Sequence, residues 1–366
     1  MGMTMTAFPI GTNVIYSYNI YMQSIKHEGN LKDKPLAPAF QNLKLVTDAL
    51  LSPVMDYSAI RKAALSLKIL FTEAVAFDDM ELTNQPHILT ESGLAIGPMS
   101  AALCIIDMMR TRKFILGIRD AIEERLRMNP GRPVTILYAG TGPFATLVTP
   151  LITVFKPAQL QMVLLEINPV SFHYLQKTIQ HFEMEDYLVD LVQADAVTYS
   201  IPGDQQPDII VSETMKPGLK KEPQVSIIAN LLSQCNQNPV LIPELIKVDV
   251  CLVGNMVNNP DSIMTLKTLL ELDAETAVRI KNNPEDVPAL SPGILVTVPE
   301  LPGSQYNRLV LDTSIRVFGH HVLGFNESGI TLPQPVMELT ALKKIPARLL
   351  FTYHIESEPG FRVTEM

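Results

Sequence analysis

Two acidic side chains, Glu213 and Glu222, stand nine positions apart on either side of a Pro/Gly loop. Glu213 follows the apolar run 208–211, a pattern typical of a buried strand. Open α/β sheets bind their ligands at the carboxyl ends of the strands. Two carboxylates at such a place indicate a site that holds a positively charged group.

A glycine-containing turn upstream predicts a nucleoside-cofactor site. Gly140 and Gly142 follow the apolar run 134–139. Glycines let the backbone approach a ligand closely, and a helix after them would direct its positive N-terminal end at that ligand. Glu166 ends the next apolar run, 26 residues after Gly140, where a carboxylate can accept both ribose hydroxyls. With Ala145 the turn also fits the dinucleotide pattern G-x-G-x-x-[G/A], so nicotinamide and S-adenosylmethionine cofactors both remain open.

Asp195 is the acid that follows the third apolar run of this series. It could accept a hydrogen bond from an adenine amino group, or it could cap a turn. Both interpretations stay open for the residue alone. Its weight comes from its place in the ordered series of glycine turn, Glu166, Asp195 and Glu213.

Alternating strand and helix patterns surround these residues and predict a mostly parallel sheet with helices on both faces. The opening of the chain reads as a strand at 13–21. Helices are expected at 43–51, 59–76, 100–128, 144–155 and 225–235, and a further helix is expected to begin with Asn168 as its cap and Pro169 in its first turn. Strands are expected at 134–139, 161–167, 188–192 and 208–211.

The pattern changes after Pro243, where alternating strands at 245–253, 309–318 and 348–355 are separated by turns, as in an antiparallel β-domain. Residues 260–287 between them read as helical and polar, a possible projecting insertion. We therefore expect a helix-rich region at 1–99, a Rossmann-like cofactor domain at 100–243 and a β-barrel-like domain at 244–366.

The composition limits the class of protein. In 366 residues, 47% are hydrophobic and 18% charged, which is typical of a well-buried globular chain. The apolar runs are too short for a membrane span, and a net charge of −9 argues against nucleic acid as a partner. The three cysteines have no CxxC spacing, so neither a disulfide framework nor a metal site is expected, and a reducing cytoplasm is the simplest compartment.

Three motifs together resemble class I S-adenosylmethionine-dependent methyltransferases, and more narrowly the protein arginine methyltransferases. The segment 212–222 keeps Ser, Glu, Met, Leu and Glu of that family's loop with two glutamates. The turn Gly142-Pro143-Phe144 looks most like the branch that dimethylates symmetrically. The segment 107–114 looks like the family's Asp-x-x-Arg-Thr helix, whose arginine is Arg110 here.

The resemblance implies S-adenosylmethionine as cofactor and a cationic nitrogen as methyl acceptor, in a basic peptide, a protein or a small amine or guanidine. It implies that Glu213 and Glu222 hold the acceptor and that Arg110 holds the cofactor's carboxylate. It further implies a homodimer, with 260–287 as a candidate arm. The remaining residues that it places at the cofactor are Tyr138, Gly140, Gly142, Glu166 and Asp195.

The chain also departs from the family at several positions. Tyr138 stands where an acid is usual, and Lys216 replaces the glycine of the acidic loop. There is no tryptophan, so the family's Thr-His-Trp loop is missing, and His320-His321 reads as a surface turn. A non-catalytic S-adenosylmethionine-binding scaffold therefore remains an alternative. An NAD-dependent dehydrogenase is a further one, although it gives the two glutamates no role.

Overall fold

Two helices, α1 (Ala39–Leu50) and α2 (Tyr57–Ala74), open the part of the chain that the computed structural model describes, which comprises residues 39–78, 80–254, 263–300, 306–342 and 344–366. Both were predicted from their apolar spacing, and they bury that face, including Leu43, Ile60 and Phe71. The strand predicted at 13–21 lies outside the described residues. Residues Phe40–Met366 form one compact unit.

A short hairpin follows the two helices and was not predicted. Its strands are β1 (Ile88–Thr90) and β2 (Gly93–Ala95), paired antiparallel. Helix α3 (Pro98–Leu103) and helix α4 (Met108–Met128) come next. The predicted single helix over 100–128 is wrong in its first part, because a 3-10 turn at Cys104–Ile106 separates the two helices. Asp107 then caps α4 by accepting the Arg110 N–H at 3.3 Å.

Five parallel strands form the central sheet, in the order β5-β4-β3-β6-β7. The chain leaves β3 toward β4 on one side and reaches β6 on the other, so β3 lies at the point where the strand order reverses. Ligands bind at such points in open α/β sheets. Strands β3, β4 and β6 are almost entirely buried, which is why they read as nearly continuous apolar runs. The strands are β3 (Val134–Ala139), β4 (Leu160–Glu166), β5 (Leu188–Gln193), β6 (Ile209–Ser212) and β7 (Val240–Ile242).

The register of the sheet brings its strand ends together. Ala139 at the end of β3 lies opposite Leu165 of β4 and Ser212 of β6. Helix α5 (Pro169–His181) begins after the cap Asn168 as predicted, and helix α6 (Gln224–Leu232) confirms the helix predicted at 225–235. The glycine turn, Glu166 and Glu213 therefore lie together at the carboxyl ends of the strands.

The helix predicted at 144–155 is wrong. Two separate 3-10 turns, Gly142–Phe144 and Thr149–Thr153, stand there instead, and between them Ala145 has a left-handed backbone with φ of 43°. Pro150 removes a backbone donor that a continuous helix would use. The left-handed residue makes a continuous right-handed helix impossible at this point.

Antiparallel strands make up the C-terminal part, which confirms the change of pattern after Pro243. One sheet has the order β12-β11-β8-β9 with β13 on β11, and the other has the order β10-β14-β15. The strands are β8 (Leu245–Gly254), β9 (Ile263–Leu272), β10 (Ile294–Val298), β11 (Tyr306–Phe318), β12 (His321–Leu323), β13 (Gln334–Glu338), β14 (Ala347–His354) and β15 (Gly360–Glu365).

The helix predicted over 260–287 is wrong in its first half, because β9 pairs antiparallel with β8 from Ile246↔Leu272 to Val253↔Ile263. Residues Ala274–Asn282 form helix α7, which packs against α6 instead of projecting, and a 3-10 turn follows at Pro284–Asp286. Among the described residues, no helix combines the length and the apolar character that crossing a membrane requires. The domain boundaries near residues 100 and 244 stay predictions.

Candidate functional site

A cleft lies at the carboxyl ends of the central strands. Much of its lining is apolar, including Leu165, Ile167 and Ile227. The structure brings all eight residues predicted for the site to this one cleft: Arg110, Tyr138, Gly140, Gly142, Glu166, Asp195, Glu213 and Glu222.

Glu166 connects the glycine turn to the start of α5. One of its carboxylate oxygens accepts the Gly142 N–H at 2.7 Å, and the other accepts the Asn168 N–H at 2.8 Å. The side chain is 5% exposed. Burial raises the pKa of Glu166 to about 7, against the two backbone hydrogen bonds that favour its ionised form. The carboxylate is thus fixed in direction and keeps lone pairs for a ligand in the cleft.

Two other predicted cofactor residues differ in character. Asp195 accepts the Val197 N–H at 2.9 Å, so it does cap a turn, and it lines the cleft as well. Tyr138 is 4% exposed, and burial raises the pKa of its hydroxyl while nearby Arg110 opposes the shift. Tyr138 is therefore a neutral phenol at the position where an acid is usual in the resembled family.

Glu213 directly follows β6 and forms an ion pair with Arg110 of α4. Their side chains are only 2% and 13% exposed. Gln224, fully buried at the start of α6, fixes the backbone on both sides of Glu213. It accepts the Thr214 N–H at 2.9 Å and donates to the Ser212 carbonyl at 3.0 Å. The position of the first glutamate is therefore set by two helices as well as by the strand.

Glu222 has its own cation, because the Lys216 ammonium lies 3.7 Å from its carboxylate. Burial raises the pKa of Glu222 above its ordinary value, while Lys216 and Arg110 oppose that shift. Lys216 is 41% exposed and long enough to leave, whereas Glu222 is enclosed. Each of the two glutamates thus faces one positively charged side chain of the chain itself.

The loop between the glutamates has an unusual backbone. Leu219 and Lys221 have φ of 54° and 67°, backbone angles that residues other than glycine rarely adopt. Such strain persists only where the surroundings fix the backbone, and it is common at functional sites. Burial and the neighbouring lysines Lys221 and Lys216 lower the pKa of Lys220. The loop therefore carries concentrated positive charge next to its enclosed acids.

Four hydrogen bonds to other parts of the structure hold this loop. The Gly218 N–H donates to Thr313 Oγ1 of β11 at 2.7 Å, and the Tyr353 hydroxyl of β14 donates to the Leu219 carbonyl at 2.8 Å. The Lys221 N–H donates to the Pro359 carbonyl at 2.8 Å. On the opposite side, the N–H of Leu94 in the hairpin donates to the Lys221 carbonyl at 2.7 Å. The strained loop is thus anchored by backbone and side-chain bonds together.

His320 and His321 do not reach the cleft. His320 lies in the turn between β11 and β12, and His321 begins β12. Together with Asp120 of α4 they form the one grouping of possible metal ligands found among the described residues. His320 is exposed, but His321 is 8% exposed and bonds Asp120 at 2.7 Å, so the surface-turn prediction holds for the first only. The other Asp120 oxygen accepts from Arg119 at 2.5 Å, so this carboxylate is already satisfied by the protein.

Sequence reasoning missed Gln224, Cys104 and the β1–β2 hairpin, all of which contribute to the site. The turn Glu91-Ser92-Gly93 was the available signal for the hairpin. Gln224 and Cys104 carry no motif, because their roles depend on helices whose placement the sequence does not specify. The sequence predicted that an α-helix would follow the glycine turn and direct its N-terminus at the ligand. This prediction is wrong, because a 3-10 turn stands there instead.

Comparisons with known proteins identify the fold of the chain that carries this cleft. No protein-family model and no curated protein matches the sequence. PRMT6 is similar in structure, with a TM-score of 0.51 at 10% identity over 73% of this chain and 99% of that one. A structure of PRMT6-SAH gives a TM-score of 0.50 at 10% identity, over 72% of this chain and 98% of that one.

A third structure, the Trypanosoma brucei PRMT1 enzyme-prozyme heterotetrameric complex with AdoHcy, covers 68% of this chain and 84% of that one, with a TM-score of 0.45 at 14% identity. The PRMT6 comparisons confirm the predicted fold class, a Rossmann-like class I methyltransferase domain followed by a β-barrel-like part. The chain therefore has the fold of a protein arginine methyltransferase-like protein.

Proposed function

We propose that this protein is an S-adenosylmethionine-dependent methyltransferase that acts on a guanidinium or amine nitrogen of a basic peptide, a protein or a small molecule. The observation that carries the proposal is the convergence of Glu166, Asp195, Arg110 and the two glutamates on one cleft in a methyltransferase-like fold. A homodimer in the cytoplasm completes the proposal.

The residues present fit this cofactor. Glu166 offers a fixed carboxylate for ribose hydroxyls, and the apolar lining between Leu165 and Ala196 suits an adenine ring. Asp195 lies beside that lining and can accept from an amino group. Arg110 supplies a guanidinium that can bind a carboxylate through two parallel hydrogen bonds. When bound, S-adenosylmethionine supplies a methyl group made electrophilic by its sulfonium.

The glutamates then bind and orient the acceptor. A guanidinium has five donors in a fixed plane, so two carboxylates can fix its direction and hold one nitrogen toward the methyl. Such positioning can contribute about 7–11 kcal/mol to lowering a barrier. Glu222, whose pKa is raised by burial, is a stronger base than an ordinary carboxylate and is the candidate to accept the proton that the acceptor nitrogen releases.

The site suits a dinucleotide less well. A pyrophosphate in a Rossmann fold binds the N-terminus of the α-helix that follows the glycine turn. Here a 3-10 turn and the left-handed Ala145 follow Gly142. This arrangement supports a methyl-donor nucleoside over NAD, whose binding remains one outcome of the test.

A non-catalytic S-adenosylmethionine-binding scaffold is the second candidate. The specific observation in its favour is that Arg110 and Lys216 already neutralise Glu213 and Glu222. A protein that kept the fold and the nucleoside site but lost its acceptor would show such pairs. Transfer of labelled methyl groups to arginine-rich peptides would separate the two candidates.

Calorimetric titration with S-adenosylmethionine, S-adenosylhomocysteine and NAD tests the cofactor on the wild type and on Glu166→Ala. We expect micromolar binding of both sulfur nucleosides and a loss of roughly tenfold or more in the variant, because a charged hydrogen bond contributes about 1.5–3 kcal/mol. Binding of NAD alone would contradict the proposal.

A further inference from the structure

We propose that Arg110 couples the two ligand positions of the cleft. Without cofactor it neutralises Glu213, and a cofactor carboxylate draws it away, so that a cationic acceptor binds second. This inference rests on the proposed function, because it assumes a nucleoside cofactor that carries a carboxylate.

The ion pair between Arg110 and Glu213 is enclosed, with side chains 13% and 2% exposed. Separating the partners without a substitute would leave a buried charge unpaired. While Arg110 neutralises Glu213, that carboxylate attracts an acceptor cation less strongly. Because Lys216 faces Glu222, the two glutamates and the two cations sum to no net charge at the acceptor end.

Arg110 can serve both positions from where it stands. It belongs to the first turn of α4, and it lines the same cleft as Gly140 and Tyr138 at the cofactor end. If the cofactor carboxylate replaces Glu213 as the partner of Arg110, the guanidinium keeps a charge-assisted hydrogen bond throughout. The exchange therefore avoids the unpaired state that simple separation would create.

Two consequences follow from this coupling. The carboxylate of the cofactor and Glu213 compete for one guanidinium, so removing the charge of Glu213 should strengthen binding of the carboxylate. By reciprocity, a bound cofactor carboxylate should open Glu213 to an acceptor cation. The order of binding would be cofactor first and acceptor second.

Two nucleosides isolate the carboxylate. S-adenosylhomocysteine and its decarboxylated analogue share the adenosine, the thioether and the amine, and they differ in the carboxylate alone. Their affinities are measured by calorimetry on the wild type, Glu213→Gln and Glu222→Gln. We expect the preference for S-adenosylhomocysteine to rise about fivefold or more in Glu213→Gln, the lower end of typical coupling. In Glu222→Gln the rise should be clearly smaller, because the ion-pair partner of Glu222 is Lys216 and Arg110 acts on it only at longer range.

An unchanged or reduced preference in Glu213→Gln would overturn the inference, because Glu213 would then orient Arg110 for the cofactor instead of competing for it. An equal rise in Glu222→Gln would also overturn it, since the effect would then be one of general charge. If neither nucleoside binds the wild type, the proposed function itself fails. Should Glu213→Gln not fold, Glu213→Asp loosens the same ion pair and carries the same expected direction.

Discussion

At the scale of single residues, Glu166 gives the cleft a dependence on pH near neutrality. It is buried, and both carboxylate oxygens accept backbone N–H groups. Burial raises its pKa from the ordinary 4.5 to about 7. In the folded protein the proton is therefore retained at pH values where the unfolded chain has lost it. The protonated side chain therefore contributes to the free energy of unfolding. This contribution is fully present below pH 4.5 and is lost as the pH rises through about 7.

Nucleoside binding should show the opposite dependence, because ribose hydroxyls need the ionised carboxylate as acceptor. We expect the affinity for S-adenosylhomocysteine to fall roughly tenfold from pH 8 to pH 6, since the fraction of ionised Glu166 falls by that factor. Calorimetry at several pH values measures this slope. Glu166→Gln should bind weakly with little slope, and tighter wild-type binding at pH 6 would contradict the prediction.

At the scale of elements, the glycine turn packs directly on the loop that begins with Glu213. Gly140 has φ of +77°, and a Cβ atom there would lie 2.3 Å from the Thr214 methyl group. Gly140→Ala thus combines backbone strain of about 1–2 kcal/mol with a steric clash. Thr214→Ser removes the methyl and keeps the hydroxyl that bonds Gln224.

We expect Gly140→Ala to lower the free energy of unfolding by more than the backbone strain alone, and Thr214→Ser added to it to restore the part due to the clash. Urea unfolding of both single variants and the double variant gives the coupling, which should be favourable and about 0.5–3 kcal/mol. Strict additivity would show that the two turns move independently.

The sequence could predict the central strands and the site residues at their ends. Strands such as β3 and β6 were found because buried parallel strands are continuous apolar runs, and site residues at their ends converge because parallel strands share one edge. The segment 263–272 was misjudged because its polar Thr265 and Lys267 also fit a helix, and pairing with β8 decided its structure. The partners of Glu213 and Glu222 depend on side chains from other elements, which spacing along the chain does not define.

At the scale of the whole molecule, the C-terminal β-strands hold elements that line the cleft. Asp107 caps α4 and also accepts from Ser328 Oγ at 2.6 Å and from the Gly329 N–H at 2.7 Å. This carboxylate lies three positions before Arg110. We expect Asp107→Ala to lower the free energy of unfolding by about 1–2 kcal/mol, the usual cost of a lost cap. Asp107→Asn, whose amide oxygen can still cap α4, should cost less in the same denaturation measurement, and an equal cost would refute the role of the cap.

The loop between Glu213 and Glu222 is bonded to the same C-terminal part through the hydroxyl of Tyr353 in β14. Tyr353→Phe removes its bond to the Leu219 carbonyl and should lower the free energy of unfolding by about 1–2 kcal/mol. Tyr187→Phe is the matched control, because that buried hydroxyl bonds the carbonyls of Ile152 and Phe155 at 3.1 and 2.9 Å, away from the loop.

Hydrogen exchange distinguishes the two variants by place. Tyr353→Phe should speed exchange of the Gly218 and Lys221 amides, because their strained loop loses one of its anchors. Tyr187→Phe should leave those amides protected at a similar global stability. If both variants speed them equally, the loop opens only with the whole fold. In that case the C-terminal strands would stabilise the protein without specifically holding the two glutamates in place.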